Sequence, residues 1–160
     1  MPSLTLTRMS LVALTCLAPL AGAADIHAAA KKGDLARMQI LVKQNPASVS
    51  IKNAYGEMPL FAAIEGGHRD AVAFLLANGA DVNARNKTGD TPLHRAAACA
   101  DRTIVELLVS YRADLDARND QGYTPVDIGV KFGSPEVRAF LESQAVLQAH
   151  PRPRPRGGCL

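Results

Sequence analysis

Tryptophan is absent from this chain and aromatics of any kind are scarce, with three tyrosines and four phenylalanines in 160 residues. So few rings leave little flat surface on which nucleic-acid bases could stack. Cysteine is as rare, at three, and no Cys-x-x-Cys pair occurs among them, which excludes the usual zinc and dithiol motifs. A nucleotide-binding glycine loop, Gly-x-Ser-x-Gly and His-Glu-x-x-His are missing too. The reading is therefore of a protein that is not an enzyme, with no cofactor, no metal and no small-molecule substrate. Charge of one sign is lacking in the body of the chain. The formal +3 includes Arg8, Arg152, Arg154 and Arg156, and without these four the remainder carries about −1. A nucleic-acid face would need Lys and Arg clustered on one side of the fold, so no nucleic-acid partner is expected.

A long hydrophobic run is also wanting. The apolar stretch 9–20 falls short of the roughly 20 residues that a membrane helix requires. With Arg8 before it and Ala21-Gly22-Ala23 after it, residues 1–23 have the three-part layout of a secretory signal peptide, cleaved after Ala23 or Ala24. Export to the periplasm of a bacterium, or beyond it, is the expectation. Left uncut, the segment would instead make the protein a membrane-tethered adaptor. Cys16 would leave with the signal.

What is present is a period. Thr91-Pro92-Leu93-His94-Arg95-Ala96-Ala97 opens one helical run, 104–109 forms a second, and Ala113 to Arg118 reads as a turn. Thirty-three residues earlier stand Pro59-Leu60, Ala63 and the matching turn Ala80 to Arg85, and 33 later stands Thr124-Pro125. Asn53, Asn86 and Asn119 keep that interval, as do Gly56, Gly89 and Gly122. Such a period marks a stack of supersecondary units. The period, the TPLHxAA of 91–97 and the GADVNA of 79–84 resemble the ankyrin repeat family. The resemblance implies an all-α repeat fold, an ankyrin solenoid of four helix-turn-helix repeats with short β-turn connections. These fall at about 26–52, 53–85, 86–118 and 119–144, within a domain spanning 24–145.

Local chemistry agrees with that reading. Thr91 is placed to cap a helix whose first residue is Pro92, and Thr124 with Asp127 repeats the arrangement. Pro46 ends the second helix of the first repeat. Gly33, Gly67 and Gly133 fall where each first helix must turn back, whereas Ala100 and Arg112 stand in the third repeat for the glycines of Gly67 and Gly79. If those two keep a left-handed backbone, each costs about 1 kcal/mol. The outer helices turn polar on opposite sides at the two ends: Arg37 matches Ile104, and Arg138 matches Val105. The stack is thereby expected to close at both ends.

The resemblance further implies a function of binding an unidentified partner protein, since in ankyrin stacks the turn tips and the exposed side of each first helix line a concave groove. Carried over by position, the candidates are Lys31 and Lys32, then Tyr55, Glu57 and Glu65, then Lys87, Thr88, Asp90, Ala98 and Cys99, and finally Gln121, Tyr123, Lys131 and Phe132. Tyr55, Tyr123 and Phe132 stand out as aromatics where the scaffold needs none. The surrounding charges are mixed, which implies neither a strongly acidic nor a strongly basic partner. His27 and His94 occupy one repeat position, where the family's histidine is structural. Small exported ankyrin proteins have been linked to protection of periplasmic enzymes and neutralisation of toxins, and the resemblance opens these roles without selecting one. Cys99 and Cys159 are a candidate disulfide in an oxidising compartment. Alternatively, Cys99 beside Arg95 would serve a thiol-dependent redox or stress function. Residues 146–160, ending in alternating Pro and Arg, are expected to form a solvated, disordered tail. Its three arginines offer only weak charge for contact with a membrane.

Overall fold

The computed structural model of the chain describes residues 21–132 and 135–149. Among the described residues eight α-helices follow one another in helix-turn-helix pairs: α1 Ala21–Lys32 with α2 Leu35–Gln44, α3 Pro59–Glu65 with α4 Arg69–Ala77, α5 Pro92–Cys99 with α6 Arg102–Ser110, and α7 Pro125–Phe132 with α8 Pro135–Ala149. A short 3-10 turn, Pro46–Ser50, follows α2. There is no strand among the described residues. Odd-numbered helices pack on one another in order, α1 on α3 on α5 on α7, and even-numbered helices do the same, so the molecule is two parallel layers of helices.

The core is the seam between those layers. Leu60, Ile64, Leu93 and Ala96 from the inner helices meet Met38, Leu75, Ile104, Leu108 and Leu141 from the outer ones, all fully buried. Truncating such a leucine to alanine costs about 2–5 kcal/mol. The polar ends follow the expected pattern. Middle repeats bury both neighbours of the pair, Ala71 with Val72 and Ile104 with Val105. In the first repeat Met38 is buried and Arg37 exposed, and in the last Val137 is buried and Arg138 exposed.

The conserved spacing of Asn and Gly acquires a cause at the turn tips. The Oδ1 atom of Asn86 accepts from the backbone N–H groups of Thr88 and Asp90 at 3.0 and 2.9 Å. Asn53 and Asn119 do the same two and four residues ahead. Each asparagine thus ties a β-turn closed by the following glycine, as in Gly89 N–H to Asn86 O at 3.1 Å. Gly89 has φ +73°, and a Cβ there would lie 2.4 Å from Asp120 Oδ1 and 2.9 Å from Asp120 N, so both torsion and space demand glycine. Successive tips are then linked by single backbone bonds, Lys87 N–H to Tyr55 O and Asp120 N–H to Thr88 O, each 3.1 Å.

Ala100 and Arg112 do adopt left-handed conformations, with φ of 57° and 64°. One expected boundary shifts: α8 continues through Ala149, beyond the tail start expected at 146. The side chains of Val146 and Leu147 are nonetheless 62% and 44% exposed, so this last turn extends past the packed stack. Residues 1–20 of the expected signal, Gly133, and residues 150–160 with Cys159 lie outside the described residues. Ala21 to Ala23, the expected end of the signal, form the first turn of α1.

Candidate functional site

The groove is built from the tips and the inner helices, and the histidines of the repeat fix one to the other. Nδ1 of His94 accepts from Thr91 N–H at 3.2 Å and lies 2.9 Å from the Thr91 hydroxyl, while Nε2 is 2.9 Å from the carbonyl oxygen of Tyr123 in the next repeat. Accepting at Nδ1 leaves the ring proton on Nε2, which donates to that carbonyl. His27 reaches the carbonyl of Glu57 in the same manner, at 3.0 Å. Phe61 occupies the corresponding place in the second repeat and instead packs, fully buried, with Met58 and Ala84. Asp127 occupies it in the fourth, exchanging bonds with Thr124: Thr124 N–H and hydroxyl donate to Oδ2 at 2.9 and 2.8 Å, and Asp127 N–H donates back at 3.2 Å. Those donated bonds hold the Asp127 carboxyl below the ordinary carboxylate range. The structural role implied by the resemblance is thus filled by His94, both of whose ring nitrogens are bonded within the fold, and His27 makes the same bond to the next repeat through Nε2.

On this frame lies a groove of about 550 Å³. It brings together Lys31, Tyr55, Glu57, Glu65, Lys87 and Thr88 from the expected set, and adds His27 and Arg95. Arg95 was not among the expected lining residues, yet it organises the floor. Its guanidinium donates to Glu57 Oε1 at 2.7 Å and to Glu65 Oε1 at 2.6 Å, while Lys31 stands 3.6 Å from Glu65 Oε2. Asn53 Nδ2 donates to the second oxygen of Glu57 at 3.2 Å. Glu57 and Glu65 are therefore spoken for within the fold, and Arg95 ties the third repeat to the second. Partners 30 and 38 residues away in sequence gave no local signal for this role.

A smaller hollow of about 240 Å³ adjoins it, lined by Asp90, Arg95, Ala98, Ile128 and Phe132. Next to it the Lys131 ammonium sits 5.2 Å from the centre of the Tyr123 ring and 5.0 Å from that of Phe132, within cation–π range of both. Phe132 is 60% exposed and Tyr123 36%, and Tyr55 at the other hollow is 71% exposed. All three aromatics singled out from the sequence thus reach solvent. Lys32, Cys99 and Gln121 are exposed but line neither hollow.

Cys99 carries a free, exposed thiol, and Cys159 lies outside the described residues. Partial burial pushes the Cys99 thiol above its ordinary value; Arg95 pulls it down, and Glu65 and Asp101 push it up again. Burial outweighs Arg95, which two carboxylates engage, and the thiol is held above its ordinary value instead of being lowered towards a reactive thiolate. Among the described residues there is no group of His, Cys, Asp and Glu able to hold a metal and no helix long and apolar enough to cross a membrane.

Tied tips, a charge-paired floor and exposed rings on a two-layer helical stack define a repeat scaffold of the kind that presents a binding face. The family model for ankyrin repeats (3 copies) matches residues 26–119 and again 84–149. The chain belongs to the ankyrin repeat family, whose repeats generally mediate protein–protein interaction.

Proposed function

We propose that this protein is a non-catalytic binding module of the bacterial periplasm, holding a partner protein in the groove between the turn tips and the inner helices. The observation that carries the reading is Tyr55, 71% exposed at the edge of a groove of about 550 Å³ whose carboxylates are already paired. A large ring held out by a rigid tip is the type of residue that anchors interfaces. The backbone N–H of Tyr55 is bonded to Asn53 and its carbonyl to Lys87, so the ring is presented without a folding role of its own. Export rests on the layout of residues 1–23, with Arg8 ahead of an apolar run and small residues behind it.

The test is affinity capture by residues 24–160 from a periplasmic extract, with Tyr55→Ala/Tyr123→Ala alongside. A specific protein held by wild type and lost from the double variant at unchanged helicity is the expected result. Equal retention by both would place the function elsewhere than the groove. Amino-terminal sequencing of the exported protein should begin at Ala24 or Asp25. Recovery of the full chain in the membrane fraction would replace a free module with a tethered one.

A further inference from the structure

The two layers of the stack end differently. In the outer layer the last repeat presents exposed Arg138 where Val105 of the third repeat is buried. The inner layer has no such substitution. Ala30, Ile64 and Ala97 share one position in successive repeats and are all buried. Ala97 lies one helical turn after His94 and so on the same face, the one whose ring reaches Tyr123 O of the following repeat. In α7 those two places hold Asp127 and Val130, and with no repeat beyond them both are exposed, Val130 by 53%. A terminal repeat needs a polar outer face, and here the inner helix ends the stack on a bare valine.

The last repeat is also acidic. Residues 119–149 carry Asp120, Asp127, Glu136 and Glu142 against Lys131 and Arg138, a net of −2. Among the described residues Arg138 is held by Glu142 at 2.8 Å, and the Lys131 ammonium lies on the groove side against Tyr123 and Phe132. Asp127 has no salt-bridge partner there: its bonds come from Thr124, and Arg118 acts on it only from a distance. Directly after this repeat the sequence supplies the opposite charge, with Arg152, Arg154 and Arg156 alternating with Pro151, Pro153 and Pro155. Composition alone argues for a solvated tail; its place in the chain argues for a partner at hand.

We propose that residues 150–160 are the missing cover, folding back over the open end of α7 with prolines against Val130 and arginines beside Asp127. The chain is long enough and ends in the right place. Helix α8 follows α7 after two residues and returns antiparallel to it. With eight residues in α7 and fifteen in α8, the overhang past the α7 N-terminus is about 10 Å at helical rise. Asp127 and Val130 lie about 3 and 8 Å further along α7. A polyproline-like return at about 3.1 Å per residue meets them after about four and six residues, near Arg154 and Pro155. So short a tether holds the segment at an effective concentration on the order of millimolar, and a weak contact suffices.

The test places a nitroxide on Cys159 in residues 24–160 carrying Cys99→Ser. Paramagnetic broadening of the amide spectrum should fall on α7 around Val130 and on the adjoining part of α8, and spare α1 and α2. High salt should erase it, as should Arg152→Glu/Arg154→Glu/Arg156→Glu at unchanged circular dichroism, while Arg152→Lys/Arg154→Lys/Arg156→Lys keeps it. Amides of α7 should exchange faster in the charge-reversed chain. Faint broadening spread over the whole chain, broadening centred on Tyr55, or broadening that charge reversal leaves intact would overturn the proposal. So would broadening of an isotope-labelled chain by the nitroxide of a separate one, which would assign the open end to a second copy. None of these readings depends on what the groove holds.

Discussion

The second and third repeats turn their chains in the same way with different residues. Gly67 and Gly79 close the two turns of the second repeat at φ +71° and +87°, and 33 residues on, Ala100 and Arg112 close those of the third at 57° and 64°. The bonds also match. Gly79 N–H reaches Leu76 O and Ala80 N–H reaches Leu75 O, as Arg112 N–H reaches Val109 O and Ala113 N–H reaches Leu108 O. A Cβ added at Gly67 or Gly79 would meet nothing within 4 Å. Glycine at these sites therefore relieves torsion and not crowding. The third repeat shows that neighbouring repeats impose the left-handed turn even on residues that resist it, which is the nearest-neighbour stabilisation expected of a stack.

The comparison breaks most sharply at a turn of another type. Gly89→Ala adds a Cβ against the Asp120 backbone as well as the torsional strain, and should cost on the order of 2–3 kcal/mol. Gly67→Ala, with torsion alone, should cost about 1 kcal/mol; urea unfolding of the pair measures the gap, and equal losses would refute the distinction. Next in size, Ala100→Gly and Arg112→Gly should each stabilise the chain by about 0.5 kcal/mol, torsional relief being partly offset by the unfolded-state entropy of glycine. Amide exchange should slow within α6, which both turns bound, and faster exchange there would contradict the assignment of strain to the third repeat.

The smallest effect concerns the position shared by His94 and Asp127. The folded carboxyl of Asp127 titrates below its unfolded value because Thr124 donates to the charged form. The unfolded chain thus binds the proton first as pH falls. The stabilisation is present above the ordinary carboxylate value near 3.9 and disappears as pH drops through the lower folded value. Asp127→Asn should lose a few tenths of a kcal/mol at pH 7, the scale of a solvent-exposed cap. The melting temperatures of variant and wild type should converge in acid, and a gap that persists at pH 2 would deny the charge its role.

Periodicity made most of the fold legible. The caps at Thr91 and Thr124, the polar ends at Arg37 and Arg138 and the two turns where Ala100 and Arg112 replace glycine all follow from positions compared 33 residues apart, because such a stack repeats its environment along with its sequence. The site was less legible. Position alone gathers Tyr55, Glu57, Glu65 and Lys87 into one groove, yet the same reasoning passes over Arg95. Whether a groove carboxylate is free or bound depends on side chains from another repeat, and position within a repeat says nothing of that. Phe61 is a related case: in the slot of His94 it exchanges a bond across repeats for a buried ring, which is visible only once Met58 and Ala84 are seen around it. The last turn of α8, through Ala149, carries exposed Val146 and Leu147 and so continues past the point where the repeat pattern stops.

The tips are coupled through backbone atoms, Tyr55 O to Lys87 N–H and Thr88 O to Asp120 N–H. A coupler made only of main chain is indifferent to what the residues at positions 55, 87 and 120 carry beyond Cα, whereas the Thr88 hydroxyl is bonded within its tip to Asn86 and Asp90. The surface most exposed to a partner is thus the one whose side chains the scaffold least constrains. Randomising positions 55, 87 and 120, with Thr88, Asn53, Asn86, Asn119 and their glycines held fixed, would give a library in which new recognition is selected with little loss of folded molecules.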